Sequence, residues 1–413
     1  MSDVRTALII GGGIAGPVAA MALAKVGIEA RVFEAYDGTA DGVGGMLGLA
    51  TNGVNAFGAV GVKDAIVEMA TPVSTMVMQS WTGKKLAEFG DPAGTPFIRV
   101  VWRADLYRLL YDAAASHGIQ IEHNKRLVRA ENTGDSVTAT FADGTQASAD
   151  ILIGADGIRS TVRSIIDPAA PNPRYTGLIG IGGRPVAGAK VASTNGSMNM
   201  TYGKRAFFAY SVDQQGQAGW FANPPHKEPL TLAQARAMGG EEWLRILREL
   251  FAQDRTAAPE ILRHVAPEDL VVVGGLEDLP NVPTWSRGRM VLVGDSAHAT
   301  SPSSGQGVSI AVESAVQLAR CLRDLPTATA AFGAYERLRR ARVERIIAAG
   351  ARTSNEKAAG PVARVFRDLA MPMMMKVMAK PERMAWQVEY QIDFDAPIRE
   401  AELLAMTGNM AGK

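Results

Sequence analysis

Thr6-Ala7-Leu8-Ile9-Ile10-Gly11-Gly12-Gly13-Ile14-Ala15-Gly16 stands almost at the start of the chain, and an alanine-rich stretch from Pro17 to Val26 follows it. The run Thr6 to Ile10 reads as a short buried strand of a parallel sheet. Gly11, Gly13 and Gly16 spell G-x-G-x-x-G. The first glycine of that spacing permits a tight turn, the second lets a pyrophosphate approach the backbone, and the third lets helix and strand pack closely. Ile14 and Ala15 complete the turn. A helix over 17–26 would aim free N–H groups and a partial positive charge at a phosphate. Ala30 to Glu34 reads as a second strand, ending on a carboxylate about twenty residues past the turn, where an acid can bind both ribose hydroxyls. The stretch predicts a nucleotide-binding β-α-β unit. It does not by itself separate FAD from NAD.

Reading outward, Trp102 to His117 predicts an amphipathic helix and Gln120 to Glu122 a further strand. Ser136 to Phe141 and Gln146 to Ala149 flank Asp143-Gly144, a hairpin signal. Asp150 to Gly154 and Met290 to Val293 are again short buried strands. Pro168, Pro171 and Pro173 mark a break. From Gly177 to about Val273 the chain alternates and is richer in aromatics, which predicts antiparallel sheet with one helical insertion over 231–253. A long helix is expected over 307–322, and the tail from Ala328 is mostly helical, with breaks at Pro361, Pro372 and Pro381. The fold class is therefore α/β: a Rossmann-like domain interrupted by an antiparallel sheet domain, with a helical C-terminal tail. We expect the first domain at 1–72, 100–175 and 275–360, the sheet domain at 73–99 and 176–274, and the C-terminal segment at 361–413.

The chain has 413 residues, 47% hydrophobic and 21% charged, which suits a soluble enzyme of more than one domain. Forty-three basic and 42 acidic residues leave a formal charge of +1, so neither nucleic acid nor an anionic membrane is expected as a partner. Cys321 is the one cysteine, which rules out an intramolecular disulfide. Without a signal-peptide pattern or a long apolar run, no integral membrane segment is expected and the cytoplasm is the default location. A monomer or homodimer is expected.

Two further motifs select the cofactor. Asp150-Ile151-Leu152-Ile153-Gly154-Ala155-Asp156-Gly157-Ile158-Arg159-Ser160-Thr161-Val162-Arg163 resembles the D-G fingerprint of flavoprotein monooxygenases. Arg289-Met290-Val291-Leu292-Val293-Gly294-Asp295-Ser296-Ala297-His298 resembles their G-D fingerprint, and Ala299 to Gly307 their proline- and glycine-rich flavin loop. Trp102-Arg103-Ala104-Asp105-Leu106 resembles their Arg-x-Asp-Leu helix start. Over roughly residues 1 to 350 the chain is similar to single-component FAD-dependent aromatic monooxygenases of the para-hydroxybenzoate hydroxylase superfamily, whose FAD domain is of the glutathione-reductase-2 type.

That resemblance implies non-covalent FAD. It implies that Asp295 accepts hydrogen bonds from the ribityl chain, that Arg103 meets a phosphate or the flavin edge, and that Asp156 and Gly157 contact FAD. Pro302 would stiffen the loop beside the ring. Gly305 and Gly307, with Gln306 and Val308, are expected to open a helix whose N–H groups face the flavin. Gly42 to Leu49 occupies the family's mobile flavin-side segment, and its glycines suggest backbone freedom. Ser309 and Ser314 depart from the family's Asn and Asp. Arg163 is read equally as a flavin-turn residue and as a surface ion pair.

The implied function is hydroxylation of an aromatic or polycyclic small molecule with NAD(P)H and dioxygen, by way of a flavin hydroperoxide, NAD(P)H being a transient co-substrate. No catalytic acid or base is assigned, and no metal. The substrate is expected between the flavin and the sheet. Met198, Met200 and Tyr202 share one face of a strand, Phe208, Tyr210 and Val212 share one face of the next, and Trp220 lies on a third. Met200, Tyr202, Phe208, Tyr210 and Trp220 are the candidate substrate contacts, with core packing the competing reading for each. His298 is read as stabilising a turn and His226 as a loop residue. The five methionines of 366–378 are read as packing. A flavin reductase of another class and a non-catalytic flavin-binding protein remain the alternatives; the Trp-x-Trp-x-Ile-Pro segment of flavin halogenases is absent.

Overall fold

The strand Thr6–Ile10 lies inside a six-stranded sheet. Across that sheet the order is Ser286–Arg287, Met290–Leu292, Ile151–Gly154, Thr6–Ile10, Glu29–Phe33 and Ile121–Glu122. All neighbours are parallel except the edge pair at Ser286–Arg287. The computed structural model describes residues 3–38, 45–90, 94, 96–357, 360, 366, 368–373 and 381–399. Ala7 to Ile10 and Ile151 to Ile153 are all buried, as continuous apolar runs in a covered parallel sheet should be.

The helix after the glycine turn runs Ala15–Lys25, two residues earlier than expected, and Ala15 to Leu23 are buried without a break. A helix buried all round needs small residues, and alanines and Gly16 supply them. The sheet covers one side and the helix Gly307–Asp324 another. The hairpin at Asp143-Gly144 forms as expected, with Gly144 at φ +81°.

The second large sheet has seven strands, ordered Leu270–Asp278, Arg174–Val186, Ala218–Asn223, Phe207–Val212, Ser197–Tyr202, Thr75–Ser80 and Lys85–Gly90. It is antiparallel except where Ser197–Tyr202 runs parallel to Thr75–Ser80. That one pair differs from the antiparallel expectation because its strands arrive from distant segments and need no tight hairpin. Two strands run across the expected limits: Arg174–Val186 starts before 176 and Leu270–Asp278 passes 274. The single expected helical insertion is three helices, Leu232–Ala237, Gly240–Phe251 and Ala258–His264; Gly239, at φ +79°, separates the first two.

Met46–Ala50 pairs antiparallel with Ile98–Trp102, so the described part of the glycine-rich segment is a strand, with Gly48 opposite Val100. A side chain on Gly48 would overlap Ile98, and close packing explains this glycine better than backbone freedom. Gly42 and Gly44 lie outside the described residues. At the C-terminal end, the helix Ala328–Lys357 and the helix Pro381–Val388 agree with the expected tail. Of the five methionines, Met371 is buried and Met373 exposed, and the other three lie outside the described residues.

Candidate active site

Gly11 turns the chain at φ +109°, and its amide donates to the Phe33 carbonyl at 2.8 Å. A Cβ on Gly11 would overlap the carbonyl of Ala155, and one on Gly16 the carbonyl of Gly11. Both glycines are therefore demanded by backbone packing. Gly13 differs: a Cβ there would meet nothing closer than the Tyr107 hydroxyl at 3.5 Å. The protein leaves space beside it. Ile14 caps the helix with helical backbone angles and no side-chain hydrogen bond, so Ala15 begins a helix whose first amides keep no side-chain acceptor.

Glu34 leaves the second strand half-buried, its Oε2 accepting from the Gly12 amide at 2.6 Å and its Oε1 from the Tyr36 amide at 3.1 Å. Tyr111 stands over the same turn. Burial, helped by the charge of Glu34, holds its phenol well above the ordinary range, so it stays protonated.

Arg103 is the first residue of the helix Arg103–Ser116, placed where Ile98–Trp102 ends. One terminal nitrogen donates to the Tyr107 hydroxyl at 2.8 Å, while its buried Nε has no partner among the described residues. Its charge reaches Asp295, the first residue of the short helix Asp295–His298. Asp295 is exposed by surface area, although protein atoms crowd its carboxyl. Lost hydration raises its carboxyl pKa, and Arg103 opposes that rise. Gly294, at φ +63°, lets the chain turn between Ala15 and Ala311, bringing Asp295 beside the glycine turn.

The Asp156 carboxylate is used within the protein. It accepts from the Ser160 hydroxyl and from the amides of Thr161 and Val162, at 2.7 and 3.1 Å, and so starts the helix Thr161–Ile166. Gly157, at φ +78°, follows with its backbone open. Arg163 is neither a surface ion pair nor exposed. It is buried, and it donates to the carbonyls of Ser296 at 3.0 Å and Ile158 at 2.7 Å, tying the two fingerprint loops together.

Pro302 begins a single turn of tight helix, Pro302–Ser304, and Gly305 ends it at φ +62°. Only Gly307 opens the long helix, so the expectation for Gly305 is corrected: it is needed for the left-handed turn before that helix. Gln306 is buried and accepts from Asn52 Nδ2 at 3.0 Å; Val308 is half-buried against the core. Ser309 Oγ accepts from the Ala50 amide at 3.3 Å, and a Cβ on Gly53 would strike it. Close approach of Ser309 is what position 53, a glycine, allows.

Two features escape a reading of the sequence. Glu313, fully buried, meets Arg339 at 2.6 Å, Arg342 at 2.9 Å and Asn52 at 2.6 Å. Ser314 beside it accepts from Arg339 Nε at 3.2 Å and shares a hydrogen bond with His298 Nε2 at 2.8 Å. Spacing hints at this only in Arg339 and Arg342, three apart on one helix face. The second feature is Lys357, at the end of the helix Ala328–Lys357, buried against the second sheet.

The sheet faces divide the substrate candidates. Met200 pairs with Ala209 and Tyr202 with Phe207, whereas Asn199 pairs with Tyr210 and Thr201 with Phe208. Met200 and Tyr202 therefore share a face with Phe207, Phe221 and Met78, and Met46 touches that face at Gly219. Phe208, Tyr210 and Trp220 lie on the opposite face, packed with Trp243 and Phe251 of the helical insertion. They are core residues of that layer; Tyr202, on the other face, is core as well, buried with Phe207 and Met371, and of the candidates Met200 alone is half-buried. Period-2 alternation groups residues within a strand but leaves the register between strands open.

The donors and the space suit a dinucleotide. The helix amides, the room beside Gly13, the half-used Glu34 carboxylate and Arg103, whose Nε has no partner among the described residues, gather around the glycine turn: Gly12 donates to Glu34, and Gly13 and Arg103 both face the Tyr107 hydroxyl. A family model described as an FAD binding domain matches residues 4–198 and 281–349. The FAD-dependent urate hydroxylase of Klebsiella pneumoniae subsp. pneumoniae is 31% identical over 355 residues, 83% of this chain and 87% of that protein. The 6-hydroxynicotinate 3-monooxygenase of Pseudomonas fluorescens is 27% identical over 360 residues, 84% of this chain and 90% of its own. The crystal structure of Klebsiella pneumoniae HpxO complexed with FAD and uric acid shares the fold, with a TM-score of 0.80 at 24% identity over 94% of this chain and 98% of that one. The protein is an enzyme of the flavoprotein monooxygenase class, with FAD as its cofactor. The chain belongs to the FAD-binding domain family. Among the described residues no helix is long and apolar enough to cross a membrane, and no group of side chains could hold a metal ion.

Proposed function

We propose that this enzyme is an NAD(P)H-dependent hydroxylase that places one oxygen atom on an aromatic or polycyclic small molecule. FAD, when bound, supplies the redox and dioxygen chemistry. The observation that best supports the reading is the pairing of Arg103, with its partnerless buried Nε, and Asp295 beside the glycine turn. In this reading the turn Gly11, Gly13, Ile14, Ala15 and Gly16 holds the pyrophosphate on the helix amides. Glu34 uses its remaining lone pairs on ribose hydroxyls. Asp295 accepts from the ribityl chain and Arg103 meets a phosphate or the ring edge. Asp156 shapes its turn so that the Gly157 backbone can approach the cofactor, and Pro302, Gly305, Gln306, Gly307 and Val308 flank the ring.

The substrate lies against the sheet face where Met200 and Phe221 are half-buried, with Tyr202 and Phe207 buried behind them. These apolar walls orient it and exclude water. Relatives named for urate and hydroxynicotinate support a ring substrate. A transient visit by NAD(P)H, a monomer or homodimer and residence in the cytoplasm complete the reading, and the near-zero net charge argues against nucleic acid. The test is a panel of phenols, heterocycles and polycyclic aromatics, scored for stimulated NAD(P)H oxidation and for label from ¹⁸O₂ in the product. Oxidation of NAD(P)H with no labelled product from any compound would favour a flavin reductase of another class.

A further inference from the structure

Lys357 ends the helix Ala328–Lys357, which runs along the flavin loop before it reaches the second sheet. Gly350 sits against Thr300 and Ser304, and Ser354 shares a hydrogen bond of 2.6 Å with Ser301. One turn further, about 5 Å along the axis, Lys357 Nζ lies 3.9 Å from the centre of the Phe207 ring and 5.8 Å from that of Phe221. It donates to Asn223 Oδ1 at 3.1 Å. The side chain is 7% exposed, and no carboxylate pairs with it among the described residues. The lysine thus stands where the flavin loop meets the sheet face that carries the half-buried Met200 and Phe221.

A buried ammonium without a counter-charge is an incomplete arrangement. Asn223 and the ring faces satisfy it in part, because an amide oxygen and a π-face both favour a cation. Among the described residues, two of its three N–H bonds have no acceptor. Phe221, half-buried, adds flat apolar area beside the amine with Phe207 buried behind it, the combination that suits a ring carrying one anionic oxygen.

Resting on the proposed placement of the substrate, we propose that Lys357 and Asn223 form the receptor for an anionic oxygen substituent, a carboxylate or phenolate, on the substrate ring. Burial lowers the lysine's pKa to about 7. Asn223, Phe207 and Phe221, which contact it, do not titrate; on its own helix the charged residues nearest along the chain are Glu356 and Arg352, and Asp368 lies on the segment bearing Met371. The amine is therefore mostly neutral at pH 8. An anion placed beside it raises its pKa again, so binding takes up a proton.

The experiment uses the FAD-loaded enzyme at pH 8 and three probes: 2-naphthoate, 2-naphthol and the neutral 2-naphthamide. Binding is followed by perturbation of the flavin absorbance and by calorimetry in two buffers of different ionisation enthalpy. We expect 2-naphthoate or 2-naphthol to bind about tenfold or more tightly than the amide. 2-Naphthoate is an anion at pH 8 and should take up as much as about one proton, the amide none. 2-Naphthol is neutral at pH 8; a phenolate receptor moves its proton to the amine, so it should bind with no net uptake and with the ultraviolet absorbance of naphtholate. The two probes separate a carboxylate receptor from a phenolate receptor. Lys357→Met should erase the preference and Lys357→Arg should restore part of it. Should Lys357→Met fail to fold, these two signatures in the wild type decide. Equal binding of all three probes, binding of none, a preference unchanged in Lys357→Met, or a preferred probe that binds without its signature would each overturn the proposal. Oxygen insertion is measured separately: an enzyme that prefers the anion but inserts no oxygen keeps the receptor and loses the hydroxylase reading.

Discussion

The amide of Gly12 donates to Glu34 Oε2 at 2.6 Å, closing the glycine turn onto the end of the second strand. The bond explains why the acid stands where it does. Glu34 is oriented by the turn it serves, and each of its oxygens spends one interaction inside the protein while keeping acceptor capacity for a ligand.

Replacing Glu34 or Asp295 by Ala should weaken FAD binding. Loss of a charge-assisted hydrogen bond costs about 1.5–3 kcal/mol, roughly 10- to 150-fold in affinity. Titration of the apoprotein with FAD, followed by quenching of flavin fluorescence, measures it. Wild-type affinity in both variants would reject the assignment.

Gly13→Ala and Gly16→Ala should behave differently. A methyl group on Gly13 meets protein at no less than 3.5 Å, so urea unfolding of the apoprotein should change by no more than about 1 kcal/mol while FAD binding is lost. A methyl group on Gly16 would overlap the Gly11 carbonyl, so stability and FAD binding should fall together. Tight FAD binding by Gly13→Ala would remove the pyrophosphate from this turn.

Stability should fall on the acid side. Burial, with the charge of Arg339, pushes the His298 pKa down to about 3 from an ordinary 6.5. Burial would raise the Glu313 carboxyl, but Arg339 and Arg342 outweigh it and hold the group below its usual value. Both groups have depressed folded-state values. Their contribution is complete above the unfolded values and is lost as pH falls through the folded ones. For His298 the loss begins near pH 6.5 and amounts to about 3 kcal/mol by pH 4. Urea midpoints measured over that range should drop less steeply in His298→Gln. An identical slope would show that the histidine is not held neutral.

Truncation on the two sheet faces should separate function from packing. Trp220→Ala should cost about 3–5 kcal/mol in stability, because Trp220 stacks on Phe208 at 5.6 Å within a closed layer, and it should leave peroxide release unchanged. Phe221→Ala, on the face of Met200 and Tyr202, should release hydrogen peroxide in place of hydroxylated product, since a displacement of about 1 Å can cost two orders of magnitude in the transfer step. Peroxide and product per NAD(P)H are the two measurements. Uncoupling in Trp220→Ala and not in Phe221→Ala would put the substrate on the other face.

Local patterns determined much of this protein. The apolar run Thr6 to Ile10, the spacing of Gly11, Gly13 and Gly16, and the acid at Glu34 lie within one β-α-β unit, where the chain's own geometry brings them together. The D-G and G-D fingerprints are local too, each a strand end and the turn after it. What joins them was decided only in three dimensions. Arg163 reads equally as a flavin-turn residue and as a surface ion pair until its helix packs under Ser296. Phe208 and Tyr202 look equivalent until the register sends them to opposite faces. Lys357 and Asn223 are far apart in the chain and carry no shared motif. Burial and strand register depend on which distant surfaces meet, and the periodicity of a single segment holds no information about its partner.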